Sequence, residues 1–82
     1  MTLKPTKRSL TLQGHRTSVS LEDRFWRAFC DIAKQENKAI NELAVEIDVT
    51  RDSTQQGLAS AIRDFVLKYY MDKAENLTSS LK

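Results

Sequence analysis

Residues 14–26 read GHRTSVSLEDRFW, and two periodicities meet inside them. From Arg16 to Leu21 the side chains alternate, with Arg16, Ser18 and Ser20 on one face and Thr17, Val19 and Leu21 on the other. A period of two marks a half-buried β-strand. Phe25, Phe29, Ile32 and Ala33 then follow at helical spacing, with Trp26 and Cys30 flanking them. The spacing predicts a helix over about 21–36. Ser20, with Asp23 three residues on, has the form of a capping box at its start. Asn37, which tolerates the left-handed conformation, suits its end.

The pattern extends in both directions. Residues 8–13, RSLTLQ, alternate as well, with Leu10 and Leu12 on one face. Gly14 at the first central position of a two-residue turn predicts a type II′ hairpin centred on Gly14 and His15. Gln13 then pairs with Arg16, Leu12 with Thr17 and Leu10 with Val19. One face holds Leu10, Leu12, Thr17, Val19 and Leu21, and the other holds Ser9, Thr11, Gln13, Arg16, Ser18 and Ser20. Toward the C-terminus, Ile40, Leu43, Ala44 and Ile47 fit one helical face, which predicts a second helix over 39–48. The polar run from Asp48 to Gly57 reads as a loop, with Ser53 or Thr54 capping a third helix that ends near residue 74. Residues 1–7 read as a flexible basic arm and 75–82 as a frayed tail. The expected fold is mainly α with a short β-ribbon: one domain over 8–74, a strand or hairpin (8–21) followed by three helices (21–36, 39–48, 54–74).

Composition narrows the functions open to this chain. It has 82 residues, one cysteine and one histidine. Catalysis needs convergent titratable groups, and no such constellation, glycine-rich phosphate loop or metal-spaced cluster stands out. The expectation is a non-enzymatic protein without cofactor or metal. A single cysteine allows no internal disulfide, and no apolar run of about 18 residues is present, so a cytoplasmic protein without a membrane span is expected. Four bases and no acid precede Glu22, while nine bases and eleven acids follow from there on. A basic arm on a near-neutral body points to a polyanionic partner. A lone ribbon in so small a domain needs support, and the simplest support is a second copy across a two-fold axis.

RTSVSLEDRFW, followed by NKAINELAVEI, resembles the ribbon-helix-helix family of bacterial DNA-binding proteins. With KRSLTLQGHRTSVSLED, AINELAVEID and GLASAIRDFVL, the whole chain is similar to a small bacterial subfamily that adds an N-terminal strand and a C-terminal helix. The resemblance implies a homodimeric transcriptional regulator, a repressor, that inserts an intersubunit antiparallel ribbon into the major groove. It assigns Arg16, Ser18 and Ser20 to base edges. It assigns Lys38, Ala39 and Asn41, at the start of the second helix, to phosphates, with Lys7 and Arg8 of the arm beside them. Val19, Leu21, Phe25, Phe29, Ile40, Leu43 and Ile47 are then the dimer core, and the third helix is free to extend the dimer interface or to join dimers into a tetramer.

Three features depart from the family pattern, one being that the loop at 48–57 shortens the second helix and a third helix is added. Ala39 stands at the second helix's cap and offers no capping oxygen. The extra strand at 8–13, if paired within the chain, would make a four-stranded dimer sheet, which at about 4.8 Å per strand is wider than a groove of about 12 Å. The alternative reading is therefore a dimeric protein–protein interaction module, or an antitoxin-like component, with the same fold and a weak DNA face.

Overall fold

The computed structural model describes residues 4–51 and 57–80. Its elements in chain order are β1 (Thr6–Leu12), β2 (His15–Leu21), α1 (Asp23–Gln35), α2 (Ile40–Thr50) and α3 (Leu58–Ser80). β1 begins inside the segment expected as a flexible arm, and α3 carries the residues after 74 as helix as far as Ser80. The expected caps Ser53 and Thr54 lie outside the described residues.

β1 and β2 form a two-stranded antiparallel sheet within the chain. Its register pairs Leu12 with His15, Leu10 with Thr17, Arg8 with Val19 and Thr6 with Leu21. The central turn residues are thus Gln13 and Gly14, with φ of 52° and 85°, in place of Gly14 and His15. Positive φ at both positions is the type I′ turn, whose second position favours glycine and whose twist matches that of the strands. The register differs from the expected one by two residues. A shift of two preserves which face each side chain occupies, whereas a shift of one exchanges the faces. Leu10, Val19 and Leu21 are buried on the inner face, and Ser9, Thr11, Arg16, Ser18 and Ser20 are exposed on the outer one.

β2 runs straight into α1. The N-cap is Glu22, which makes no side-chain capping bond, so the expected Ser20–Asp23 capping box does not form. Ser20 belongs to the strand, and the Asp23 carboxylate is taken by Arg8 Nη2 at 2.6 Å. At the other end Asn37 has φ 58°. Its N–H donates to Lys34 O at 3.1 Å and the Lys38 N–H to Ala33 O at 2.8 Å. That pair of bonds is the Schellman closure of a helix. At α2 the Ala39 N–H donates to Glu42 Oε1 at 3.3 Å, and the alanine has no oxygen with which to return the bond.

The hairpin, α1, α2 and α3 enclose one apolar core. Leu21, Phe29, Ile32 and Ile62 are its largest fully buried side chains, with Leu10, Val19, Leu43, Ile47 and Val66 around them. The residues expected as the dimer core sit in this core or against it. Val19, Leu21, Phe29, Leu43 and Ile47 are buried by their own chain, and Phe25 and Ile40 are half-buried against the same core. Packing partners for β2 and α2 come in cis, from β1 on one side and from Ala61, Ile62 and Val66 of α3 on the other.

The turn type has a measurable consequence. Left-handed backbone costs a non-glycine side chain about 1–2 kcal/mol, and asparagine bears it better than glutamine. Gln13→Asn is expected to raise stability by about 0.5–1 kcal/mol in urea unfolding. No gain, or a loss, would contradict a type I′ turn centred on Gln13 and Gly14.

Candidate nucleic-acid interface

The outer face of the hairpin carries three cross-strand pairs: Lys7 with Ser20, Ser9 with Ser18 and Thr11 with Arg16. All six side chains are exposed. They span about 14 Å along the ribbon at about 3.4 Å per residue. The face has two cations, four hydroxyls and no acid. None of these six side chains takes part in a hydrogen bond or ion pair described within the chain. Arg16, Ser18 and Ser20 therefore share one accessible surface, and Lys7, Ser9 and Thr11 join them from β1.

The two-residue turn also fixes where the backbone groups point. Pairs with the parity of Leu12 and His15 exchange hydrogen bonds, so Lys7, Ser9 and Thr11, and Arg16, Ser18 and Ser20, direct their N–H and C=O groups to the ribbon's outer edges. Two contacts agree with this phase. The Thr11 N–H donates to Asn41 Oδ1 at 3.0 Å, and Arg63 Nη2 donates to Ser20 O at 3.2 Å. The β1 edge is thus tied to the first turn of α2, and the end of the β2 edge to α3.

These ties decide the place of the other sequence-predicted site residues. Asn41 accepts from the β1 backbone, which holds the start of α2 beside the ribbon. Lys38 pairs with Glu46 at 2.8 Å, a bond that raises the lysine pKa above its ordinary value and holds the charge in place. Ala39 donates its N–H to Glu42. Arg8 points to the inner face, ion-paired with Asp23 and with its guanidinium 5.4 Å from the Trp26 ring centre. Its Nε is buried without a hydrogen-bond partner. Arg8 is therefore a packing cation that staples β1 to α1, and it is turned away from the surface that Lys7 shares with Arg16.

An open hollow of about 560 Å³ lies where α1 turns into α2, lined by Cys30, Lys34, Asn37, Lys38, Ala39 and Ile40 among others. Lys34, in the last turn of α1, brings a second ammonium to this hollow, and sequence reasoning did not single it out. Burial, reinforced by Asp31, pushes the Cys30 thiol up, so it stays protonated at neutral pH. Among the described residues no group of three or more His, Cys, Asp and Glu is placed to hold a metal ion, and no helix is long and apolar enough to cross a membrane.

Arg63 is the other residue that sequence reasoning missed. Its Nε and Nη2 donate to the two carboxylate oxygens of Glu22 at 2.9 and 3.2 Å, and the same guanidinium lies 6.0 Å from the Phe25 ring centre. Nothing in the local pattern marks it, because Glu22 stands 41 residues away in the chain. The arginine clamps the ribbon's exit, the start of α1 and the first half of α3 into one body.

The hairpin thus presents a polar, acid-free outer face with the helices packed on its inner one, and a two-stranded ribbon is of a width that the major groove admits. The family model for the ribbon-helix-helix domain matches residues 5–70. The chain belongs to the ribbon-helix-helix family, a DNA-binding and regulatory family whose members bind DNA as dimers. No curated protein and no solved structure matches it at a significant level.

The clamp is testable through its pH dependence. Arg63 holds the Glu22 carboxyl below its ordinary value, first through the side-chain hydrogen bond and then with help from the helix-start backbone. A depressed carboxylate pKa contributes stability that is present above the unfolded value and lost as pH falls through the folded one. Arg63→Gln is expected to lower the thermal midpoint by a few degrees at pH 7, with the gap to the parent narrowing as the pH drops below about 4. A gap that is constant from pH 7 to pH 3 would remove the ion pair from the account.

Proposed function

We propose that this protein is a dimeric, sequence-specific DNA-binding regulator of transcription, acting as a repressor, and that the outer face of the β1–β2 hairpin reads the major groove. The observation that carries this reading is the acid-free surface of Lys7, Ser9, Thr11, Arg16, Ser18 and Ser20. The major groove admits a two-stranded ribbon. Arginine donates two bonds to the O6 and N7 of guanine, and serine and threonine hydroxyls donate or accept at any base edge. Arg16, Ser18 and Ser20 take the base edges, and Lys7, at the far end of the face, takes a phosphate.

The ribbon that enters the groove is the one made within a single chain. Residues 16–21 already have β1 on one edge. Adding a second copy on the other edge would give four strands spanning about 14 Å between the outer ones, more than the groove of about 12 Å accepts. In this reading the groove receives the in-chain hairpin of each subunit in place of the intersubunit ribbon that the resemblance implies. The amides of Ile40 and Asn41 in the first turn of α2 attract a phosphate beside the ribbon, with Lys34 and Lys38 adding charge. Arg8, ion-paired with Asp23 on the inner face, is left out of the contact set in this reading.

Only two of the six outer side chains are cationic, and this favours a second reading, a dimeric interaction module or antitoxin-like component with a weak DNA face. Salt separates the two. Phosphate contacts make affinity fall steeply with ionic strength, whereas an apolar protein interface does not respond in that way.

The test is fluorescence anisotropy on fragments of the source genome, the gene's own promoter among them, at low and moderate salt. Tight, salt-sensitive binding is expected, and Arg16→Ala should cost about 1–3 kcal/mol and relax preference at one base pair. Binding no tighter than to random DNA, unchanged by Arg16→Ala, would overturn the groove-reading assignment.

A further inference from the structure

The hairpin's outer face has no acid, but the start of α2 has more acid than base. Between residues 34 and 46 stand two lysines, Lys34 and Lys38, and three glutamates, Glu36, Glu42 and Glu46, a formal charge of −1. Lys38 Nζ donates to Glu46 Oε1 at 2.8 Å, reaching the second turn of α2. The Ala39 N–H donates to Glu42 Oε1 at 3.3 Å. Two of the groups that the sequence offers to a phosphate here, the Lys38 ammonium and the Ala39 amide, thus already hold a carboxylate of the same chain.

We infer that Glu42 and Glu46 compete with DNA phosphate for the start of α2, and so hold down the sequence-independent part of binding. The inference rests on the reading above that this helix start lies on a phosphate beside the ribbon, and it says what limits the strength of that contact. Phosphate contacts supply essentially all of a protein's non-specific affinity. Muting them at α2 leaves Arg16, Ser18 and Ser20 a larger share of the total, which widens the margin between the right site and random DNA.

The competition is an exchange of anions. The Lys38–Glu46 pair is partly exposed, 31 and 47 % at the two side chains, and a pair of that kind contributes little to stability. It opens readily when a phosphate arrives. Once Lys38 has turned to the phosphate, the Glu46 carboxylate is left unpaired within a side chain's reach of the DNA, and its repulsion offsets part of the gain. Glu42 adds a second negative charge over the same helix start. The bond to Glu46, with the charges of Glu36 and Glu42 behind it, raises the Lys38 pKa, so the ammonium keeps its proton at neutral pH.

The experiment is fluorescence anisotropy of the full chain on its promoter fragment and on a random-sequence duplex of equal length, across a salt series, with circular dichroism as a folding control. Glu46→Gln is expected to tighten binding to both duplexes about three- to tenfold at low salt, and to steepen the slope of log affinity against log salt by about one. Glu42→Gln, which keeps an oxygen for the Ala39 N–H, is expected to act in the same direction. The Glu46→Gln gain should vanish in the Lys38→Ala background. An affinity unchanged or weakened by either glutamine variant, or a gain that persists without Lys38, would overturn the competition. The same titrations separate the two claims. A parent that prefers its promoter, with no gain from Glu46→Gln, removes the competition alone. A parent with no preference for its promoter, with the gain through Lys38 intact, removes the base-reading assignment alone.

Discussion

The pairing of β1 with β2 inside one chain is the constraint on which the rest of this molecule depends. Closing the ribbon at Gln13 and Gly14 sets the parity of every residue from Thr6 to Leu21. Parity sends Leu10, Val19 and Leu21 inward to the helices and sends Lys7, Ser9, Thr11, Arg16, Ser18 and Ser20 outward. It also sends the Thr11 N–H to Asn41 and the Ser20 carbonyl to Arg63, which fastens the ribbon at both edges. A one-residue slip would put leucines on the surface and hydroxyls in the core, so folding selects strongly against it.

Self-pairing changes what a second subunit has to supply. A ribbon made between subunits gives the dimer a backbone seam and a shared core. Here β1 provides the strand partner, and α3 closes over Leu21, Phe29 and Ile32. Arg8 and Arg63 act as the two staples of this arrangement, one joining β1 to the start of α1 and the other joining α3 to the β2–α1 junction. Each is a cation that holds elements of the fold together, and Lys7 and Arg16 are the two cations of the outer face.

Much of this was legible in the sequence because its signals are local. The alternation of residues 16–21, the helical spacing of Phe25, Phe29 and Ile32, and Asn37 as the left-handed stop of α1 follow from periodicity and backbone sterics alone. Local pattern alone does not fix the turn, because Gly14 fits either slot of a two-residue loop. The choice went to the register that seats Arg8 opposite Val19, within reach of Asp23 and Trp26. The pairing of Arg63 with Glu22, and of Asn41 with the Thr11 backbone, spans 41 and 30 residues and has no local signature. The outer face was readable to the extent that a two-residue shift leaves parity intact. The place of Lys7 on that face, and the inward turn of Arg8, needed the fold.

The most direct test of the central claim is an amide-shift map of the isotopically labelled protein titrated with its own promoter fragment. Perturbations concentrated on Lys7, Ser9, Thr11, Arg16, Ser18 and Ser20, with a weaker set at the first turn of α2, are the predicted result. Perturbations confined to α3, with the ribbon amides unmoved, would contradict a groove-reading hairpin.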